Sequence, residues 1–176
     1  LDKETSGTLA IAKNPEAYRH LAIQFEDREV EKYYHAVSDG IHHFEDLWVE
    51  LPLYKNAKGF VKIDDHRGKI AATVLNTLQT FRYHSLIEAQ PLTGRLHQVR
   101  VHLASQHASI TGDETYGGKP FYLSEIKRKF NLKKGQEEQP IIKRFALHSR
   151  KIKFTDLNGE SIQAEAEYPK DFKALL

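Results

Sequence analysis

Short apolar segments bounded by turn signals recur along this chain, while helix signals are few and scattered. Tyr33 to Ser38 reads as a strand closed by an Asp39-Gly40 turn, and His84 to Pro91 reads as another. Phe145 to Phe154 and Ser161 to Glu167 flank Asp156-Leu157-Asn158-Gly159, and Asn-Gly is a strong hairpin signal. Thr8 to Lys13, Phe44 to Leu51, Gly59 to Asp64 and Ala71 to Thr80 also have strand character, although Leu75 to Leu78 reads equally well as helix. Many strands, with helices that do not alternate regularly between them, point to a mixed, mainly antiparallel β-sheet with flanking helices. That is an α+β domain.

The helix signals are local and specific. Asn14-Pro15-Glu16 combines a capping residue, a proline for the first helical position and an acid in the first turn. The expected helix runs to about Arg28, with Ala17, Leu21, Ile23 and Phe25 on its apolar side. Thr93-Gly94 reads as a turn, followed by a helix from Leu96 to Gln106. Gly112-Asp113 and Gly117-Gly118 read as tight turns, and Tyr168-Pro169 opens a short final helix.

At 176 residues the chain suits one domain with a sizeable core. Lys and Arg number 26 against 24 Asp and Glu, so the net charge of +2 neither demands nor excludes nucleic acid. The placement of charge is less even. Residues 119–144 carry eight basic and three acidic side chains, interleaved with Phe121, Tyr122 and Phe130. This basic insertion, partly helical around Leu123 to Phe130, has the mix that phosphate contact plus base stacking uses, although charge runs are more often solvated faces. No cysteine is present, which removes disulfides, thiolate metal sites and Cys nucleophiles. No apolar run approaches a membrane span and no signal pattern opens the chain, so a cytoplasmic monomer without membrane contact is expected.

Two blocks carry the chemistry: LDKETSG at residues 1–7 and TGRLHQVRVHL at 93–103. Asp2 alone would be a solvated carboxylate. With Thr5-Ser6-Gly7 behind it, a turn can hold it in place, and a nearby cation would keep it ready as nucleophile or base. Arg95 stands at the expected helix start, where a cation opposes the helix dipole, so a specific partner is expected for it. Arg100 lies roughly 140° further round the helix, so one arginine can meet a carboxylate while the other meets a phosphate. His97 and His102 are five apart rather than four and have no third ligand in view, which argues against zinc and for hydrogen-bonding or RNA-facing roles. Tyr33 and Tyr34 face opposite sides of their strand, one towards the core and one towards a cleft.

These motifs, with LAIAK, KYYHAVSDG, RGKIAAT, GDETYGG and FALHSRKIKF in the same order, resemble RluA-type pseudouridine synthases along the whole chain. The resemblance implies an RNA isomerase that turns uridine into pseudouridine without cofactor or metal. It implies Asp2 as the catalytic aspartate, Tyr34 as the ring that stacks on the base and a candidate acceptor for the C5 proton, and Arg100 as the partner of Asp2. It also implies Leu147 beside the active site and Arg95 and His97 in base or RNA binding. Lys127, Arg128 and Lys129 of the insertion are expected to contact RNA. Ribosomal RNA is the expected substrate and transfer RNA the second choice. A non-catalytic RNA-binding remnant is the alternative from another class, and a hydrolase using Asp2 is a more distant third.

The family pattern places a His-Arg pair just before Leu1, and a first strand region earlier still. Neither is in this sequence. The expectation is therefore an N-terminally incomplete catalytic domain over residues 1–176, weakly active or inactive on its own.

Overall fold

The computed structural model describes residues 1–127, 129–132 and 135–176. Arg128, Lys133 and Lys134 of the expected RNA-contacting insertion lie outside the described residues. The chain order is β1 (Ser6–Gly7), α1 (Pro15–Glu26), β2 (Glu31–Asp39), β3 (Leu47–Lys55), β4 (Val61–Ile63), β5 (Lys69–Thr80), β6 (His84–Pro91) and α2 (Gln98–Ser105). A 3₁₀ turn (Glu114–Tyr116) and α3 (Leu123–Ile126) follow, then β7 (Leu147–Thr155), β8 (Ser161–Glu165) and α4 (Lys170–Lys173).

The strands form one sheet in the order β1-β7-β2-β6-β5-β3-β4, with β8 paired to β7. Every pairing is antiparallel except the short parallel contact of β1 with β7. The mixed, mainly antiparallel α+β architecture expected from the sequence is therefore present. β6 has the bounds read from the sequence, and β7 and β8 form the hairpin around Asn158-Gly159. Gly159 takes a φ of +83°, which asparagine-glycine turns allow at little cost.

β5 is a strand throughout, which settles the ambiguity at Leu75 to Leu78. Leu75 faces the core and is fully buried, whereas Leu78 lies at a register shift between Thr77 and Gln79 and is exposed. A one-residue bulge turns a pattern of period two into one that imitates a helix. β3 begins three residues later than expected and runs on to Lys55.

Two expectations near the N-terminus fail. Thr8 to Lys13 is not a strand: Thr8 N donates to Ser149 O, but Leu9 and Ile11 are 62% and 75% exposed. Apolar alternation makes a strand only where a neighbour pairs with it, and among the described residues none does. α1 is capped as expected, with Ala17 N donating to Asn14 Oδ1 at 2.8 Å. Its expected apolar side is not buried, however, and Ile23 and Phe25 stay exposed. Gln24 anchors the helix instead. Its amide donates to Thr155 O at 2.8 Å and accepts from Thr155 N at 2.7 Å.

α2 lays Val99 and Leu103 on the sheet face that carries Val49, Leu75, Ile87 and Ala89, forming the main core with Phe145, Leu147 and Phe172. Phe121 of the basic insertion belongs to this core and packs edge-on against His84 at 4.1 Å, so it is no stacking platform for RNA. α3 is a single turn, shorter than the helix expected to reach Phe130.

His102 lies on the buried side of α2, fully buried, with Nδ1 2.8 Å from Thr73 Oγ1. Burial pushes its value down to about 4, from 6.5 in an open chain. Because the folded value is the lower one, its contribution is complete above pH 6.5 and is lost as pH falls toward 4. Charging this ring in the fold costs up to about 3 kcal/mol. Urea melts of the parent and of His102→Gln should therefore show the parent losing more stability than the variant between pH 6.5 and 4. Parallel losses would remove His102 as the source.

Candidate active site

The site draws on the N-terminal turn, the turn before α2, α2 itself, β2, the segment that carries Asp113 and the start of β7. The first is the N-terminal turn, closed by Thr5 N donating to Asp2 O at 3.0 Å. Gly7 secures that turn to β7. Its φ is +114°, and a β-carbon there would lie 2.1 Å from Ser149 O, so no larger residue fits without moving the strand.

The second segment is the turn before α2. Gln98 is buried and organises it. Its Oε1 accepts from Thr93 Oγ1 at 2.7 Å and from Arg95 N at 3.0 Å, while its Nε2 donates to Ala72 O and to Thr73 Oγ1, both at 2.9 Å. The turn that carries Arg95 is thus clamped to β5. The helix starts at Gln98, so Arg95 precedes it, and the dipole argument made from the sequence does not apply. Arg95 is half-buried and donates from Nε to Ile70 O at 3.3 Å.

Arg100 is the centre of the site and is 6% exposed. Its Nε and Nη2 donate to the two carboxylate oxygens of Asp113 at 2.6 and 2.8 Å, and Nη1 donates to Asp2 Oδ2 at 3.2 Å. The rings of Phe145 and Tyr116 lie 4.3 and 4.8 Å from the guanidinium carbon. Burial alone would lower its value, but the bonds to Asp113 and Asp2 outweigh this and raise it, so the cation is permanent.

The two carboxylates are not equivalent. Asp113 is buried and bound through both oxygens. Asp2 is partly exposed and bound through one, and its Oδ1 has no hydrogen-bond partner among the described residues. One anion therefore anchors the guanidinium, while the guanidinium steadies the other and leaves it a free oxygen. Sequence reasoning read Gly112-Asp113 only as a turn. Its signal was there in GDETYGG, an acid in a motif already singled out, but nothing local tied it to Arg100.

Asp2, Tyr34, Arg95, His97, Arg100 and Leu147 all line one cleft of about 410 Å³, within the usual range for small-molecule sites. Tyr34 is the cleft-facing ring of its pair. Tyr33 points to the other face, where its hydroxyl donates to Glu31 at 3.0 Å. Burial, and then the charge of Asp2, raise the Tyr34 phenol, so it keeps its proton at neutral pH. His97, in a left-handed conformation with φ of +53°, places Nδ1 2.7 Å from Tyr116 Oη. Burial lowers its value, with Asp2 pulling the other way, so the ring is largely neutral near pH 7. His97 and His102 thus serve different places, one in the cleft and one in the core. Lys127 and Lys129 are exposed and do not line the cleft.

A family model described as RNA pseudouridylate synthase matches residues 1–105. The chain belongs to this family. It is 36% identical over 98% of its length to a protein named uncharacterized RNA pseudouridine synthase from Chlorobaculum parvum, and 34% identical over 99% to ribosomal large subunit pseudouridine synthase D of Zymomonas mobilis. It covers 54% and 53% of those proteins, so the chain spans about half the length of these relatives. Ribosomal large subunit pseudouridine synthase C of Vibrio cholerae is 38% identical over 69% of the chain, which spans 38% of that protein. The solved structure titled human RNA pseudouridylate synthase domain containing 1 superposes with a TM-score of 0.71 at 26% identity, covering 96% of this chain and 67% of that one. Among the described residues, no helix is long and apolar enough to cross a membrane.

Proposed function

We propose that this chain carries the catalytic site of an RNA uridine isomerase, with ribosomal RNA as substrate and Asp2 as nucleophile. The observation that carries the reading is the asymmetric pair of carboxylates on Arg100, with the partly exposed Asp2 lining the same cleft as Tyr34 and Leu147. The ribosomal substrate is supported by the printed names of the synthase C and D relatives.

The chemistry follows from the groups present. The target base leaves its stack and enters the cleft, where the Tyr34 ring and the Leu147 side chain offer an apolar slot. The bond from C1′ to N1 breaks as Asp2 attacks C1′ or assists glycal formation. The uracil turns, C5 bonds to C1′ as the bond from C1′ to Asp2 breaks (or as the glycal regains its C2′ proton from Asp2), C5 loses its proton and N1 gains one. Gains and losses cancel, so the reaction needs no oxidant or reductant. Tyr34 takes the C5 proton. Because its phenol is protonated at rest, it must first release that proton to the solvent of the open cleft. Lys127 and Lys129, outside the cleft, then meet RNA that flanks the target.

The direct experiment is to treat unmodified ribosomal RNA with the full-length protein and map pseudouridine by chemical labelling and primer extension. No new pseudouridine would end the reading. Tyr34→Phe keeps the ring and removes the hydroxyl. It should bind RNA as the parent does and form product roughly 10²-fold more slowly. Parent-like turnover would leave Tyr34 a stacking role only.

A further inference from the structure

β2 sets Lys32 two residues before Tyr34 on the same face, and both line the cleft. The ammonium lies 5.8 Å above the centre of the Phe25 ring, and 4.0 Å from where a β-carbon on Gly94 would stand. Among the described residues it makes neither an ion pair nor a hydrogen bond. Burial lowers its value, and no acid offsets this, not even Asp2 in the same cleft. Among the described residues Arg95, next to Gly94, also lacks a carboxylate, and its side chain bonds only to the carbonyl of Ile70.

Two unpaired cations therefore flank a turn whose middle residue has no side chain. Partial desolvation of an ammonium weakens a fold unless something compensates, and among the described residues only the face of the Phe25 ring offsets it. It is useful only when an anion arrives, because the attraction is then stronger than it would be in open water. The other charged centre of the cleft, Arg100, already faces two carboxylates, Asp113 and Asp2, so a phosphate there would meet a net negative charge. Gly94 leaves floor space for a tetrahedral group, and Arg95 is held in register by the Gln98 clamp.

We propose that Lys32, with Arg95 across the Gly94 turn, forms an anion seat that takes a backbone phosphate beside the target uridine. The identity of the anion rests on the function proposed above, but the seat itself rests on the two cations.

The test uses fluorescence anisotropy of the full-length protein with a short single-stranded oligouridylate over a salt series. Lys32→Met keeps the apolar stem and removes the charge. It should weaken binding about tenfold and reduce the slope of log affinity against log salt by about one, while Lys32→Arg restores both. Thermal melts establish that each variant is folded. A second arm replaces single linkages of the oligonucleotide by neutral methylphosphonate. One position should weaken the parent and leave Lys32→Met unaffected, since the two changes remove one contact. A folded Lys32→Met with the parental salt slope would overturn the proposal. So would a variant that loses only turnover, which would place the ammonium on the uracil rather than on phosphate. If Lys32→Met loses slope but the parent makes no pseudouridine, the seat stands and the enzyme reading fails. If the parent makes pseudouridine and the slope is unchanged, the seat alone fails.

Discussion

Asp2→Asn is expected to lower pseudouridine formation by roughly 10⁴-fold or more, with RNA affinity essentially at the parental value. The substitution preserves shape and removes the charge proposed to attack C1′. It does so without disturbing the rest of the site, because Arg100 is held mainly by Asp113, through two bonds of 2.6 and 2.8 Å. The Asp2 contact is single, 3.2 Å long and partly exposed, so its loss should cost no more than about 1 kcal/mol. A melting temperature close to the parent's is thus part of the expectation. Product mapped on ribosomal RNA at near-parental rates would show that Asp2 is not the nucleophile. Lost affinity together with lost product would instead make Asp2 an organiser of the RNA site.

Elements whose signals are local were legible. The Asn14 cap, the β6 strand and the Asn158-Gly159 hairpin each depend on residues a few positions apart, and each is where the sequence placed it. Features that depend on distant partners were not. Thr8 to Lys13 has strand composition but no neighbouring strand, and the exposed Ile23 and Phe25 show that α1 is held by Gln24 rather than by a buried stripe. In the site, Asp2 and Arg100 are 98 residues apart, and their pairing came from the family resemblance, since no spacing rule joins them. Asp113 and Gln98 were passed over for the same reason. One looked like a turn residue and the other like a polar helix position, and only the folded chain shows that they hold Arg100 and the Arg95 turn.

The largest stability effect is expected at Asp113. In Asp113→Asn the buried Arg100 keeps its charge and loses its main counter-ion. Removing one partner of a buried pair costs about 3–5 kcal/mol, because the remaining charge is left desolvated. For a chain of this size that corresponds to a fall in melting temperature of roughly 10 °C. Activity should fall as well, for a separate reason. Freed from Asp113, the guanidinium can turn its fork on Asp2 and bind both of its oxygens, and a carboxylate held that way is a poorer nucleophile. The two effects can be separated by assaying well below the melting temperature, where the variant is folded and any remaining deficit is chemical. Adding Arg100→Met to Asp113→Asn removes the stranded charge and should recover much of the lost stability, while turnover stays low because Asp2 then has no cation beside it. If Asp113→Asn melted with the parent, Arg100 would not depend on Asp113, and the unequal roles assigned to the two carboxylates would fall with it.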